Sequence, residues 1–120
     1  MKVDVESVES RPVVRVTGEV DASNSSILQE TLDQLITDGC RRIILVFNEV
    51  SYISSGGLRV LLHVVRELLD SGKLILVGVR SSVMDVLSMT GFSNLLEIHD
   101  ELGDALKMSG EDTSDGGGEA

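Results

Sequence analysis

The sequence predicts an α/β fold: a mixed β-sheet, opened by an antiparallel hairpin and continued by parallel β-α-β units, covered by helices. Three observations point there. Short strand-like apolar segments alternate with segments whose apolar residues recur every three to four positions, in the order β-β-α-β-α-β-α-β-α. The 120 residues are 42% hydrophobic but only 2% aromatic, so the core must be built from Val, Leu and Ile, which suit a sheet layered with helices. The segment from Ile43 to Phe47 is apolar at every position, as expected of a strand buried on both faces.

Each element has its own signal. Val3 and Val5 alternate with Lys2, Asp4 and Glu6, and Val8 stands isolated, which predicts a half-buried strand over residues 2–8. Glu9-Ser10-Arg11-Pro12 predicts a turn, and Val13, Val14 and Val16 the second arm of a hairpin. Gly18-Glu19-Val20-Asp21 breaks that pattern. A helix opens within Ser23-Asn24-Ser25-Ser26, all N-cap types, and Ser26 with Gln29 has capping-box spacing. Ile27, Leu28, Leu32, Leu35 and Ile36 share one face, Gln29, Glu30, Asp33 and Gln34 the other, and Gly39 ends the helix. A second helix is expected from Leu58, with Leu61, Leu62, Val65, Leu68 and Leu69 on its apolar face and Asp70-Ser71-Gly72 closing it. Leu74 to Val79 predicts a strand. Ser81 or Ser82 would cap a short helix carrying Val83, Val86 and Leu87, ended by Thr90-Gly91. Leu95, Leu96 and Ile98 predict a last strand, and Asp100 the cap of a final helix with Leu102, Ala105 and Leu106. The length fits one domain, residues 1–108. Residues 109–120, rich in Gly, Ser and acid, predict a disordered tail.

The formal net charge is −10, and the acids Glu111, Asp112, Asp115 and Glu119 of the tail account for only part of it. Such a chain repels phosphate backbones, which argues against nucleic acid as a partner. No apolar run approaches the roughly 20 residues of a membrane span. Met1 leads directly into the first strand, without the pattern of a signal peptide. The single cysteine, Cys40, can form no internal disulfide and fits a reducing compartment, so a cytoplasmic location is expected.

The stretch Val50-Ser-Tyr-Ile-Ser-Ser-Gly-Gly-Leu-Arg-Val-Leu-Leu62 holds the candidate site. It reads as the end of a strand, a tight turn with two serines and two glycines, and a helix start. Free backbone N–H groups and the positive dipole end favour a phosphate there. Ser55 is a candidate phosphoacceptor or a plain N-cap; Ser54 is the lesser acceptor candidate. Gly56 and Gly57 give clearance for a partner backbone or for tight packing of helix on strand. Arg59, His63 and Arg66 form a basic stripe, with Arg59 nearest the turn as a partner contact. Asp21 could orient the serine hydroxyl or serve as a turn Asp. There is no Gly-x-Ser-x-Gly elbow, phosphate-binding Gly-Lys-Ser/Thr loop or Gly-x-Gly-x-x-Gly, and no ligand set around His63 or His99. No catalytic residue, metal or cofactor is therefore expected, and the chain reads as a binding module, not an enzyme.

Three segments in this order and spacing make the chain resemble the STAS domain family, in particular the bacterial anti-sigma factor antagonists. They are Val16-Thr-Gly-Glu-Val-Asp21 before a helix, the Val50–Leu62 stretch, and Leu76-Val-Gly-Val79 leading to Val86-Leu-Ser-Met-Thr-Gly91. The resemblance covers residues 3–107. It implies partner switching. The unphosphorylated antagonist binds an anti-sigma factor that is also a serine kinase and frees a sigma factor; phosphorylation at the start of the second helix breaks the complex. The ATP and its metal belong to the kinase. The family turn usually reads Asp-Ser-Ser-Gly-Leu. Here Ser54 stands at the Asp, and Gly56, with no hydroxyl, at the second serine, which leaves Ser55 as the acceptor to expect. An Asp frequent in the preceding strand is replaced by Val46. The resemblance makes Asp21, Ser54, Ser55, Gly56, Gly57 and Arg59 the expected partner surface. It also leaves a second function open, a non-phosphorylated STAS subunit of a transport complex or signalling scaffold.

Overall fold

The computed structural model describes residues 1–107. The expected tail, 109–120, lies outside the described residues. Five strands form one sheet in the order of the sequence: β1 (Lys2–Val8), β2 (Arg11–Val20), β3 (Arg42–Ile53), β4 (Lys73–Val77) and β5 (Glu97–His99). β1 is antiparallel to β2, and the other three pairings are parallel. The crossovers carry helices α1 (Ser25–Thr37), α2 (Ser55–Leu68) and α3 (Ser81–Met89). A short 3-10 turn, Phe92–Asn94, precedes β5, and a last helix, α4, spans residues 102–107.

The strand order never reverses, so crossovers of one hand must put α1, α2 and α3 on the same face. The main core confirms this. Val14, Val16, Leu45, Phe47 and Leu76 on the sheet meet Leu28 and Leu32 of α1, Val60, Leu61, Val64 and Leu68 of α2, and Val83 and Leu87 of α3. The opposite face holds Val13, Ile44, Val46, Ile75 and Val77, covered by Leu102, Ala105 and Leu106 of α4. The segment Ile43–Phe47 of β3 is thus buried on both sides, as its unbroken apolar run foretold, and so is β4 from Leu74 to Val77. The mixed sheet with an antiparallel hairpin and parallel β-α-β units is the fold that the sequence predicts.

The boundaries moved for physical reasons. The hairpin loop is only Glu9-Ser10, both left-handed at φ 52° and 67°, the twist a two-residue hairpin needs. Pro12 therefore lies in β2, where its missing N–H costs no rung because pairing with β3 begins at Val13. β3 runs six residues beyond Phe47, to Ile53. Its register with β2 slips twice, between Arg15 and Thr17 and between Gly18 and Glu19. Each slip resets the alternation, so Val50 and Ile53 face the main core while Asn48, Glu49, Ser51 and Tyr52 are exposed. β2 likewise continues through Gly18, whose φ of 101° accommodates the second slip.

α2 starts three residues before Leu58, and it buries Gly57, Val60, Leu61, Val64 and Leu68. The expected face is rotated: Leu58, Leu62 and Val65 are half-buried at its margin and Leu69 is 71% exposed. In α1 the Ser26–Gln29 capping box does not form; the cap position is Asn24, and Ile27 is 52% exposed. α3 is preceded by Arg80 at the cap position, and β5 begins at Glu97, not at Leu95.

On β5, Glu97 lies between Lys73 at 3.2 Å and His99 at 2.7 Å. Burial, its largest single influence, pulls the Glu97 pKa upward, but the hydrogen bonds and charges of His99 and Lys73 together outweigh it, and the net shift is down. A carboxylate with a depressed folded pKa adds stability above its ordinary value of 4.5, and that stability is lost as the pH falls through the lower folded value. Glu97→Gln is expected to lower stability near neutral pH and to match the parent in acid. Urea midpoints measured from pH 7 down to pH 3 check this; a gap that persists at pH 3 would refute it.

Candidate functional site

The site forms where β2 and β3 end side by side. The Ser54 amide donates to the Val20 carbonyl at 2.8 Å, tying the start of α2 to the residue before Asp21. Ser54 has extended backbone, and its Oγ accepts from the Gly57 amide at 3.3 Å, making Ser54 the N-cap. The cap explains why the chain turns into a helix at Ser55. It also commits the Ser54 oxygen. Ser54→Ala is expected to cost about 1 kcal/mol of stability, read as a shift in the urea midpoint; Ser54→Asp, which keeps an acceptor at the cap, should recover most of it.

Ser55 is the first residue of α2 and is exposed. Among the described residues, no group hydrogen-bonds its hydroxyl. The two glycines differ. Gly57 is buried, and a Cβ on it would lie 2.6 Å from Ile53 Cγ1 and 2.8 Å from Val20 Cγ1, so its missing side chain lets α2 seat on β2 and β3. Of the two roles open to Gly57, clearance for a partner or tight internal packing, the second accounts for it. Gly56 faces the other way: a Cβ there would lie 3.2 Å from Ser25 Oγ and 3.4 Å from Ala22 Cα, at the start of α1.

Asp21 does not reach for Ser54 or Ser55. Its Oδ1 accepts from the Ser23 amide at 2.9 Å, the Ser23 hydroxyl at 2.7 Å and the Asn24 amide at 3.2 Å. The Ser23 hydroxyl is the main reason its pKa is held below the usual carboxylate value. Asn24 returns the arrangement, with Oδ1 accepting from the Asp21 amide and Nδ2 donating to the Glu19 carbonyl. Asp21 is thus a turn-building residue, and it sets the Ala22–Ser25 wall that Gly56 rests on. Asn24, one of the N-cap types expected here, stands at the cap position, but its bonding with Asp21 is not among the expectations from sequence; an Asp followed three residues later by Asn before a helix is the signal for it.

Arg59 is exposed on the second turn of α2 and has no hydrogen bond or ion pair among the described residues. His63, below it, is bound to Asp33 Oδ1 of α1 at 2.8 Å, so the basic stripe is broken by an interhelical pair. Arg66 lies in the last turn, also unpaired among the described residues. Among the described residues no three His, Cys, Asp or Glu side chains cluster to hold a metal ion. Among the described residues, no helix is long and apolar enough to cross a membrane. A hollow of about 380 Å3 opens beside α4 between Arg15, Asn48, Glu49, Asp100 and Glu101, and no residue of the serine turn lines it. Val46, at the position where a strand Asp was expected, is buried under α4.

The crossover helices α1, α2 and α3 cover one face of the sheet and α4 the other, with the capped serine turn beside the β2–α1 turn. The STAS domain profile matches residues 2–105, and the chain belongs to that family. Among curated relatives it is similar to BtrV of Bordetella bronchiseptica, assigned as an anti-sigma factor antagonist, at 29% identity over 82% of this chain and 85% of that one. It is 30% identical to the anti-sigma-B factor antagonist of Staphylococcus aureus over 72% of this chain and 82% of that one. Among solved structures it resembles the Bacillus anti-sigma factor antagonist SpoIIAA in its unphosphorylated form, with a TM-score of 0.78 at 22% identity over 90% of this chain and 96% of that one. The phosphorylated form of SpoIIAA gives a TM-score of 0.71 at 22% identity, over 90% and 99%.

Proposed function

We propose that this chain is an anti-sigma factor antagonist. Unphosphorylated, it docks the turn Ser54-Ser55-Gly56, with Asp21 and Arg59 beside it, onto an anti-sigma factor that is also a serine kinase. Docking frees a sigma factor. Phosphorylation of Ser55 ends the contact. The chain contributes no catalysis of its own and works in the cytoplasm, without nucleic acid.

One observation carries the reading: Ser55 presents an exposed hydroxyl that no described neighbour engages, at the start of a well-capped helix, while Ser54 is spent on the cap. An acceptor serine must be reachable and free, and of the two only Ser55 is. The relatives named as anti-sigma factor antagonists support the partner class, and a phosphorylated SpoIIAA supports modification as the switch. The test is recovery of partners from native cells with the tagged full chain, then incubation with ATP and peptide mass spectrometry. An anti-sigma kinase among the partners and phosphate on Ser55 are expected. Failure to bind any anti-sigma factor overturns the reading; a bound kinase that leaves Ser55 bare removes the switch.

A further inference from the structure

Ser55 and Arg59 are four residues apart on α2, so they lie one turn apart on one exposed face. Helical side chains lean toward the N-terminus, and a long one covers the turn before its own. An Arg59 guanidinium can therefore fold back over Ser55. Other arginines have partners: Arg11 pairs with Glu9, Arg15 with Glu6, Arg80 with Glu49, and Arg41 bonds Ser71 and the Glu67 carbonyl. Arg59 has none among the described residues. It also sits at the wrong end of the helix for a cation, and α2 has no acid in its first turn to offset it. Arg66 is unpaired too, but it lies in the last turn, where the dipole favours positive charge.

We infer that Arg59 is the internal counter-ion of a phosphate on Ser55, folding back over the first turn of α2 to bind it through charge-assisted, forked hydrogen bonds. The inference rests on Ser55 as the acceptor. In the transfer, the Ser55 Oγ–P bond forms as the γ-phosphorus of ATP parts from ADP, and the hydroxyl proton passes to the kinase. Two cations act near the turn: the Met1 ammonium, whose charge bears on Asp21, and Arg59, which lies on the Ser55 face of α2. Asp21, on the neighbouring turn, is an anion held by Ser23 and Asn24, and His63 is held by Asp33. The pairing gives one modification two effects. It adds an anion to the docking turn, and it withdraws the free cation that the unmodified surface offers to an acidic partner.

The test uses the full chain with phosphoserine installed at position 55 during translation, so it does not depend on any kinase. Urea unfolding is measured for unmodified and phosphorylated chains, each with and without Arg59→Gln. The folding constant of the phosphorylated chain should fall roughly two- to fivefold more on Arg59→Gln than that of the unmodified chain at low salt. That excess should fade near about 1 M salt. Arg59→Lys should retain part of it, and Arg66→Gln should show none. The second ionisation of the phosphate, about pH 6 in a free phosphoserine, should lie lower with Arg59 than with Gln, read by phosphorus NMR. Equal losses with and without the phosphate, or an unchanged phosphate titration, overturn the inference. A coupling that is present in a chain no kinase modifies would leave the pairing standing and remove only the switch above.

Discussion

Ser55→Asp is expected to weaken capture of the anti-sigma partner by about a hundredfold, equivalent to about 2.7 kcal/mol, while the melting temperature stays within a few degrees of the parent. The asymmetry follows from the position. Ser55 is exposed and its hydroxyl supports nothing in the fold, so a carboxylate there displaces no internal bond. At the first position of α2 an acid is favoured by the helix dipole, by about 0.3–1 kcal/mol. Against a docked surface the same carboxylate must lose its water, and a buried charge without a partner costs several kcal/mol. Ser55→Ala should keep capture and lose phosphate incorporation. Titration calorimetry with the recovered anti-sigma factor and a thermal melt of each variant decide the matter. Unchanged affinity for Ser55→Asp would move the contact surface away from this turn.

Gly72→Ala should cost about 3 kcal/mol, the upper end for overpacking, because the obstacle is backbone. A Cβ on Gly72 would stand 2.0 Å from the Arg41 carbonyl oxygen and 2.9 Å from its carbon. That oxygen accepts the Lys73 amide at 2.8 Å, next to the first rung between β3 and β4, Arg42 with Lys73. Relief requires moving the entry of β4, and Leu68 Cδ2, 3.1 Å away, blocks a small adjustment. For a domain near 100 residues such a loss lowers the melting temperature by roughly 15 °C. Gly39→Ala is the control. It has open space around it and a left-handed φ of 95°, so its cost should be on the order of 1 kcal/mol from backbone strain alone. If the two variants melt together, the close approach at Gly72 is not the source of its cost.

What the sequence revealed tracks how local each determinant is. The run from Ile43 to Phe47 reports burial directly through spacing; the Val3–Val5 alternation marks β1, but Val5 is 48% exposed at the sheet edge, and both strands stand where they were expected. The second half of β3 was hidden because its two slips erase the period-two signal at Asn48-Glu49 and Ser51-Tyr52. The start of α2 was misplaced because Gly56-Gly57 has the chemistry of a turn; only the approach of Val20 and Ile53 explains a glycine inside a helix there. At the site, N-cap chemistry and the family resemblance brought out Ser54, Ser55 and Asp21. The division of labour between the serines, one capping and one free, depends on where the Gly57 amide points. The use of Asp21 depends on bonds to Ser23 and Asn24. The break in the Arg59–His63–Arg66 stripe needed Asp33 from another helix, a contact 30 residues away in sequence.

The unreversed order of the strands has a practical corollary. Open α/β sheets hold metabolites in the cleft where neighbouring crossovers part to opposite sides, and here α1, α2 and α3 all lie on one side. The rim bearing Ser55 is therefore a shoulder with no crevice of that kind. Compounds meant to silence this protein would find a better foothold in the kinase proposed to dock on that shoulder.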